Sequence, residues 1–208
     1  VLAQIAAEVL GVTVKDIIVL SSDTDLTPFD VGAYASSTTF ISGNAVKKAA
    51  LHAREQILRV AAKILDEKPE DIELVAGKAV AKSGRSCGLS EVANTAFYYH
   101  DQHQIMGAAS HTATSSPPPF AAHFAEVEVD TETGQVEVLA YVSTVDCGTA
   151  INPCLAEGQN DGAVLNGISY ALFEEMRFNA AGAMVNSSLR NYKIYSTGDA
   201  PPFKTILI

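Results

Sequence analysis

Paired cysteines, clustered cations and long apolar runs are all missing from this chain. Its three cysteines, Cys87, Cys147 and Cys154, are odd in number, and none stands in a Cys-x-x-Cys pair. Neither a disulfide framework nor a zinc site is supported, and a reducing, cytoplasmic setting is expected. Cys147, at a strand end, and Cys154 read as buried small residues rather than cluster ligands or nucleophiles. The five histidines form no His-x-x-x-His or His-Glu-x-x-His pattern, and the nearest pair, His100 and His103, reads as a polar helix end rather than a metal site. Lys and Arg number 14 against 24 Asp and Glu, a net charge of −10 with no dense basic stripe, which disfavours nucleic acid and anionic membranes. No run approaches the twenty or so apolar residues that span a bilayer, and the first residues do not read as a charged n-region followed by a cleavage site. The phosphate loop of nucleotide hydrolases and the strand-linked Gly-x-Gly-x-x-Gly are absent too, so the ordinary nucleotide folds lose support.

What remains is a chain of 208 residues, 48% apolar and 18% charged, which suits a packed globular protein of one large domain or two small ones. Leu2, Ile5, Ala6, Val9 and Leu10 repeat at helical spacing until Gly11 stops them. No capping residue precedes that helix, which suggests that the chain begins inside a longer natural sequence. Residues 17–20, Ile-Ile-Val-Leu, read as a strand, and the polar stretch 21–38 as a long functional loop. A long helix is expected over 39–65, with Val46, Ala50, Ala53, Ile57, Val60 and Ile64 on its buried face. Ile72/Leu74 and Ala79/Ala81 frame a hairpin, and 89–99 a short helix. A second hairpin turns at Thr131-Glu132-Thr133-Gly134. A helix over 153–176, a short hairpin around residues 179–182 and a Pro-rich strand region follow. The pattern predicts an α+β fold of mixed sheets with packed helices, a long central helix and β-hairpins. Ser115-Ser116-Pro117-Pro118-Pro119 divides it into halves 1–116 and 117–208.

Two segments carry the chemistry. Ser36, Ser37, Thr38 and Thr39 place four hydroxyls directly ahead of the long helix, where hydroxyls, free backbone N–H groups and the helix dipole can hold a phosphate without a cation. A simple cap accounts for one Ser or Thr better than for four. The second is the helix holding Gly158, Gly162 and Gly167, each costing about 1 kcal/mol against Ala. Bare glycine faces admit a flat ligand, with the Gln159 amide at its edge, or a tightly packed neighbour with Gln159 in water. These two helix starts are expected to converge on one phosphate-bearing, amide-reading ligand. The pairs Glu126/Glu128 and Glu174/Glu175 read as solvated faces rather than general acid and base.

Asp23-Thr24-Asp25-Leu26-Thr27-Pro28, Gly32-Ala33-Tyr34-Ala35-Ser36, Gly43-Asn44-Ala45-Val46, Asp146-Cys147-Gly148-Thr149-Ala150-Ile151-Asn152-Pro153 and Glu157-Gly158-Gln159, with Gly162, Gly167 and Glu174-Glu175, run in order along nearly the whole chain. This series resembles the second molybdopterin-binding region of the molybdenum-binding large subunit in the xanthine dehydrogenase/aldehyde oxidase family. The resemblance implies an α+β unit that is one part of a larger, cytoplasmic, hetero-oligomeric enzyme. It implies a molybdenum hydroxylase that uses water to hydroxylate an N-heteroaromatic, purine- or nicotinate-like, or an aldehyde. Partners carrying a [2Fe-2S] cluster and FAD are implied as well. It assigns cofactor contacts to Ala35, Ser36, Ser37, Thr38 and Gln159. Bacterial members often carry Arg where this chain has Ser37, which weakens the expectation of a charged contact to a nucleotide extension. The family's Gly-Gln-Gly segment and its catalytic glutamate in a Gly-Glu motif are not among these 208 residues. No catalytic residue and no metal ligand is therefore assigned here, and the chain alone is expected to be inactive. Two rival readings stand beside this one: a reductive member similar to 4-hydroxybenzoyl-CoA reductase, and a non-catalytic cofactor-binding or assembly domain.

Overall fold

The computed structural model describes residues 1–99 and 102–208. They form two compact units, Val1–Ser116 and Pro117–Ile208.

In the first unit, helix α1 (Leu2–Leu10) ends where Gly11 turns left-handed, φ 63°, and its N–H closes on the carbonyls of Ala7 and Glu8. Glycine is needed there for a second reason. A Cβ at residue 11 would lie 2.1 Å from the Leu74 carbonyl oxygen, and the Gly11 carbonyl itself accepts the Gly77 N–H at 2.8 Å. Helix α2 (Thr38–Leu65) buries Ala50, Ile57, Leu58, Val60, Ala61, Ala62 and Leu65. Its Gly43 leaves room for Ile5 of α1, whose Cδ1 would stand 2.9 Å from any Cβ there. The strands β1 (Ile72–Val75), β2 (Lys78–Ala81) and β3 (Ser86–Gly88) form an antiparallel meander. Its register pairs Ile72 with Ala81 and Leu74 with Ala79. The period-2 alternation turns these four, with Cys87, onto the α2 core. Helix α3 (Leu89–Asn94) and the π-helical turn Thr95–Tyr99 complete that core with Val92 and Ala96.

Residues 103–111 run back along α2 without regular structure of their own. Side chains one helical turn apart hold them. The Gln56 amide donates to the Met106 carbonyl at 2.6 Å and accepts the Met106 N–H at 3.3 Å, as a partner strand would. His52 Nδ1 donates to the Ala108 carbonyl at 3.1 Å, and Lys48 Nζ lies 3.1 Å from His111 Nδ1.

In the second unit, β4 (Phe120–Val129) and β5 (Val136–Asp146) form a long hairpin. The Asp130 carboxylate closes its turn by accepting the N–H groups of Glu132 and Thr133, and these bonds hold the carboxyl below the usual carboxylate range. Strand β6 (Phe203–Leu207) joins parallel to β5, giving the order β4-β5-β6. Helix α4 (Pro153–Leu172) buries Val164 and Ile168, while β4 is exposed along its whole length.

The structure is the α+β fold with mixed sheets that the sequence pattern predicts. Four details depart from expectation. Residues 17–20 form no strand, and Ile18 is 89% and Leu20 71% exposed; an apolar run becomes a strand only where another backbone accepts its hydrogen bonds. The three-residue β3 and the parallel pairing of β6 were not foreseen. Helix α4 stops at Leu172 rather than at residue 176, because the N–H groups of Phe173 and Glu174 both fold back onto the Ser169 carbonyl.

Candidate cofactor-binding site

In the first unit, residues 34–38 form one turn at the start of α2. Ala35 and Ser36 are both left-handed, φ 49° and 52°, a conformation that costs an L-residue about 1–2 kcal/mol. The next residue, Ser37, folds both its N–H (3.0 Å) and its hydroxyl (2.7 Å) onto the Tyr34 carbonyl. The hydroxyl in the N-cap position is thereby spent, and α2 starts with no side-chain cap and no acid in its first turn. The first rung of its ladder runs from the Ile41 N–H to the Ser37 carbonyl at 2.8 Å. Among the described residues, no acceptor from outside the helix reaches the N–H groups of Thr38, Thr39 and Phe40. A 28-residue helix thus presents the positive end of its dipole and its orphan donors beside the exposed Ser36.

In the second unit, α4 begins differently. Asn152 Oδ1 accepts the Leu155 N–H at 3.1 Å and Pro153 occupies the first turn, so this start is capped. The expectation of a second anion-ready helix start here is corrected: what α4 offers is a side chain. Asn160, Val164 and Ile168 lie one above another at i, i+4 and i+8, and Gln159 falls on the far side of the helix, exposed and with no hydrogen-bond partner among the described residues. A Cβ at Gly158, Gly162 or Gly167 would meet nothing within 4 Å, so tight packing within the unit does not account for these glycines.

A polar network fixes that orientation. The buried Ser143 hydroxyl of β5 donates to Asn160 Oδ1 at 3.1 Å, and Asn160 Nδ2 donates to Thr205 Oγ1 of β6 at 2.7 Å. The Thr205 hydroxyl donates in turn to Asp161 Oδ1 at 2.6 Å. Sequence reasoning gave Asn160 and Asp161 no role. The signal was the polar pair on the same stripe as Val164 and Ile168.

The carboxylate pairs separate. Glu126, Glu128 and Glu175 are exposed, as a solvated face requires. Glu174 is half-buried instead: it accepts the Ser169 hydroxyl at 2.6 Å and the Tyr192 hydroxyl at 2.8 Å. The bond to Glu174 pushes the Tyr192 phenol above its ordinary value. Cys147 and Cys154 are exposed, against the expectation of burial, because the turn after β5 and the first turn of α4 are uncovered; Cys87 alone is buried, and desolvation pushes its thiol up. His100 lies outside the described residues, and no cluster of three metal-ligating side chains occurs among those described. Ala35, Ser36, Ser37 and Thr38 are thus gathered in one turn of the first unit, and Gln159 stands on the second.

Residues 1–201 match the family model of the molybdopterin cofactor-binding domain. The xanthine dehydrogenase molybdenum-binding subunit of Escherichia coli O157:H7 is 35% identical over 214 residues, covering all of this chain and 28% of the relative. The nicotine 6-hydroxylase large subunit of Paenarthrobacter nicotinovorans is 32% identical over 212 residues, covering 98% of this chain and 26% of the relative. Among solved structures, quinoline 2-oxidoreductase from Pseudomonas putida 86 superposes with a TM-score of 0.92 at 29% identity, over all of this chain and 27% of that one. The chain spans about a quarter of the length of these relatives.

Proposed function

The chain belongs to the molybdopterin cofactor-binding domain family, and from that premise we propose that it is one part of the cofactor-holding region of a molybdenum hydroxylase large subunit. The reaction is the hydroxylation of an N-heteroaromatic or aldehyde with water as oxygen source. Relatives named for nicotine and for quinoline favour the heteroaromatic class. Iron-sulfur and flavin partners in a cytoplasmic hetero-oligomer belong to the same proposal, and molybdenum-binding and large subunits among the relatives support it.

The uncapped start of α2 is the observation that carries this reading. The N–H groups of Thr38, Thr39 and Phe40 and the Ser36 hydroxyl bind the cofactor's phosphate, and the helix dipole supplies the positive potential. Ser37 adds no charge, so this contact is built from backbone and hydroxyl donors alone. Gln159 offers two donors and one acceptor, none engaged among the described residues, to the polar edge of the pterin. The Ser143–Asn160–Thr205–Asp161 network holds α4 so that Gln159 stays presented. When bound, the cofactor supplies the redox-active molybdenum through which the substrate is oxidised. We assign no catalytic base among the described residues: Glu126, Glu128 and Glu175 are exposed, and Glu174 is tied to Ser169 and Tyr192.

Pterin content of the purified full-length protein tests the assignment. Ser36→Asp places a like charge beside the phosphate and is expected to lower pterin occupancy more than tenfold, whereas Ser36→Ala removes one hydrogen bond and lowers it a few-fold. Equal occupancy in the two variants would refute the phosphate contact.

A further inference from the structure

Residues 103–111 lie along α2 as an extended strap in which every second residue, from His103 through Ile105, Gly107 and Ala109 to His111, is half-buried. We propose that the His111 end of this strap is a pH-sensitive latch, shut while His111 is neutral and lifted from α2 when that imidazole takes a second proton.

The anchors of the strap differ in what a proton does to them. Phe40, Asn44, Lys48, His52 and Gln56 recur every four residues and so line one face of α2. The Gln56 amide bonds twice to Met106 and carries no titratable group. His52 donates from Nδ1 to the Ala108 carbonyl, and a charged imidazole keeps that proton. Between these two anchors Gly107 lies so close to the helix that a Cβ there would stand 1.9 Å from the Ala49 carbonyl oxygen. Acid leaves this half of the strap in place. The last anchor is of another kind. Lys48 Nζ can only donate, so His111 Nδ1, 3.1 Å away, has to accept. That contact requires a neutral His111 whose one proton sits on Nε2, an atom that is buried and has no partner. The shut latch thus already carries the cost of an unmatched donor. A second proton has to enter at Nδ1, where it turns the hydrogen bond into a meeting of two cations. Lys48 and His52 are the titratable side chains on this face of α2, and of the two only Lys48 bonds to His111. Among the described residues no carboxylate pairs with His111 to offset the added charge. The latch is therefore shut above the range in which histidine gains charge and opens as pH falls through it, roughly from 8 to 5. The His111 ring stands nearly perpendicular to that of Phe40, at 88° with centroids 6.1 Å apart, so opening bares the Phe40 ring in the first turn of α2.

Hydroxyl-radical footprinting with a mass-spectrometric readout tests the latch on the full-length protein freed of cofactor, so that the result does not depend on the phosphate assignment. Between about pH 8 and about pH 5, oxidation of His111 and Phe40 rises on the order of threefold. Ile105, in the half held by Gln56, and Ile72, in the core, stay constant. His111→Gln gives Lys48 a neutral acceptor at every pH, and Lys48→Met removes the ammonium; in both, Phe40 oxidation no longer depends on pH. Lys48 is exposed, so its replacement leaves the fold intact even if His111→Gln does not fold. Constant oxidation of His111 and Phe40 in the wild type, an equal rise at Ile105, or an acid-dependent rise at Phe40 that persists in a folded variant overturns the proposal.

Discussion

The two longest helices of this protein solve the same problem in opposite ways. Every helix starts with N–H groups that its own backbone cannot satisfy. At α4 the sequence Asn152-Pro153 closes the account internally: the asparagine oxygen takes the Leu155 N–H and the proline removes another donor. At α2 four hydroxyl residues stand in the right place and none caps the helix; Ser37 turns its hydroxyl back to Tyr34, and two strained left-handed residues hold the loop in that shape. Capping residues are plentiful where the cap is withheld, and the proposed phosphate contact accounts for that open end. Backbone strain of this kind persists where the surroundings impose it. The glycines of α4, by contrast, leave open helix surface near the exposed Gln159 side chain, the contact proposed for the cofactor.

Substitutions at both helices can break or sharpen this contrast. Beyond the Ser36 pair, the largest effect is expected from Gln159→Ala, which removes the proposed cofactor contact on α4 and should weaken retention by about 1–3 kcal/mol. Melting of the cofactor-free protein stays unchanged, since Gln159 is exposed and makes no hydrogen bond among the described residues. A drop in melting with normal pterin content would show Gln159 to be structural. Asn152→Ala reverses the pattern: loss of a cap costs the fold roughly 1 kcal/mol, read by denaturant melting, while pterin content holds. If Asn152→Ala empties the protein of pterin without destabilising it, the start of α4 is a ligand site after all. The smallest effect concerns the C-terminal end of α4. The Tyr192 phenol is raised by its bond to Glu174, so its stabilising contribution is complete below its ordinary value near 10 and is lost as pH climbs through the raised folded value. Burial raises Tyr195 as well, so phenolate absorbance should show a late-titrating fraction to which both tyrosines contribute, and Tyr192→Phe should reduce that late amplitude.

Much of the fold was legible because it is written in local pattern. The 3.6-residue stripes define α1 and α2, Ala76-Gly77 and residues 131–134 mark the hairpin turns, and Ile72, Leu74, Ala79 and Ala81 alternate toward one face. Elements that depend on a distant partner were not. Residues 17–20 have the composition of a strand but no backbone to pair with among the described residues, and β6 pairs parallel to a strand some sixty residues earlier. Strand β3 is too short for any period to show. At the candidate site, the serine segment and Gln159 stand out by composition and by family resemblance. The left-handed turn at Ala35 and Ser36 does not, because neither is a glycine or asparagine and nothing in their chemistry announces a positive φ. The choice Ser37 makes between capping α2 and bonding to Tyr34 is likewise invisible until the chain is folded. Asn160 was hidden for a different reason: a polar residue in a glycine-rich helix reads as a surface position, and only the sheet beneath it supplies Ser143 and Thr205 as partners.

The central claim, that α2 is left uncapped to receive an anion, is tested most directly by Ser37→Asp, read out twice. A carboxylate at this position interacts favourably with the helix dipole, worth about 0.3–1 kcal/mol, and repels a bound phosphate. The full-length protein should therefore melt higher than wild type when both are stripped of cofactor and should retain far less pterin when purified. A Ser37→Asp protein that gains stability and keeps its full pterin complement would contradict the account, because the end of α2 would then be an ordinary helix start that no anion occupies.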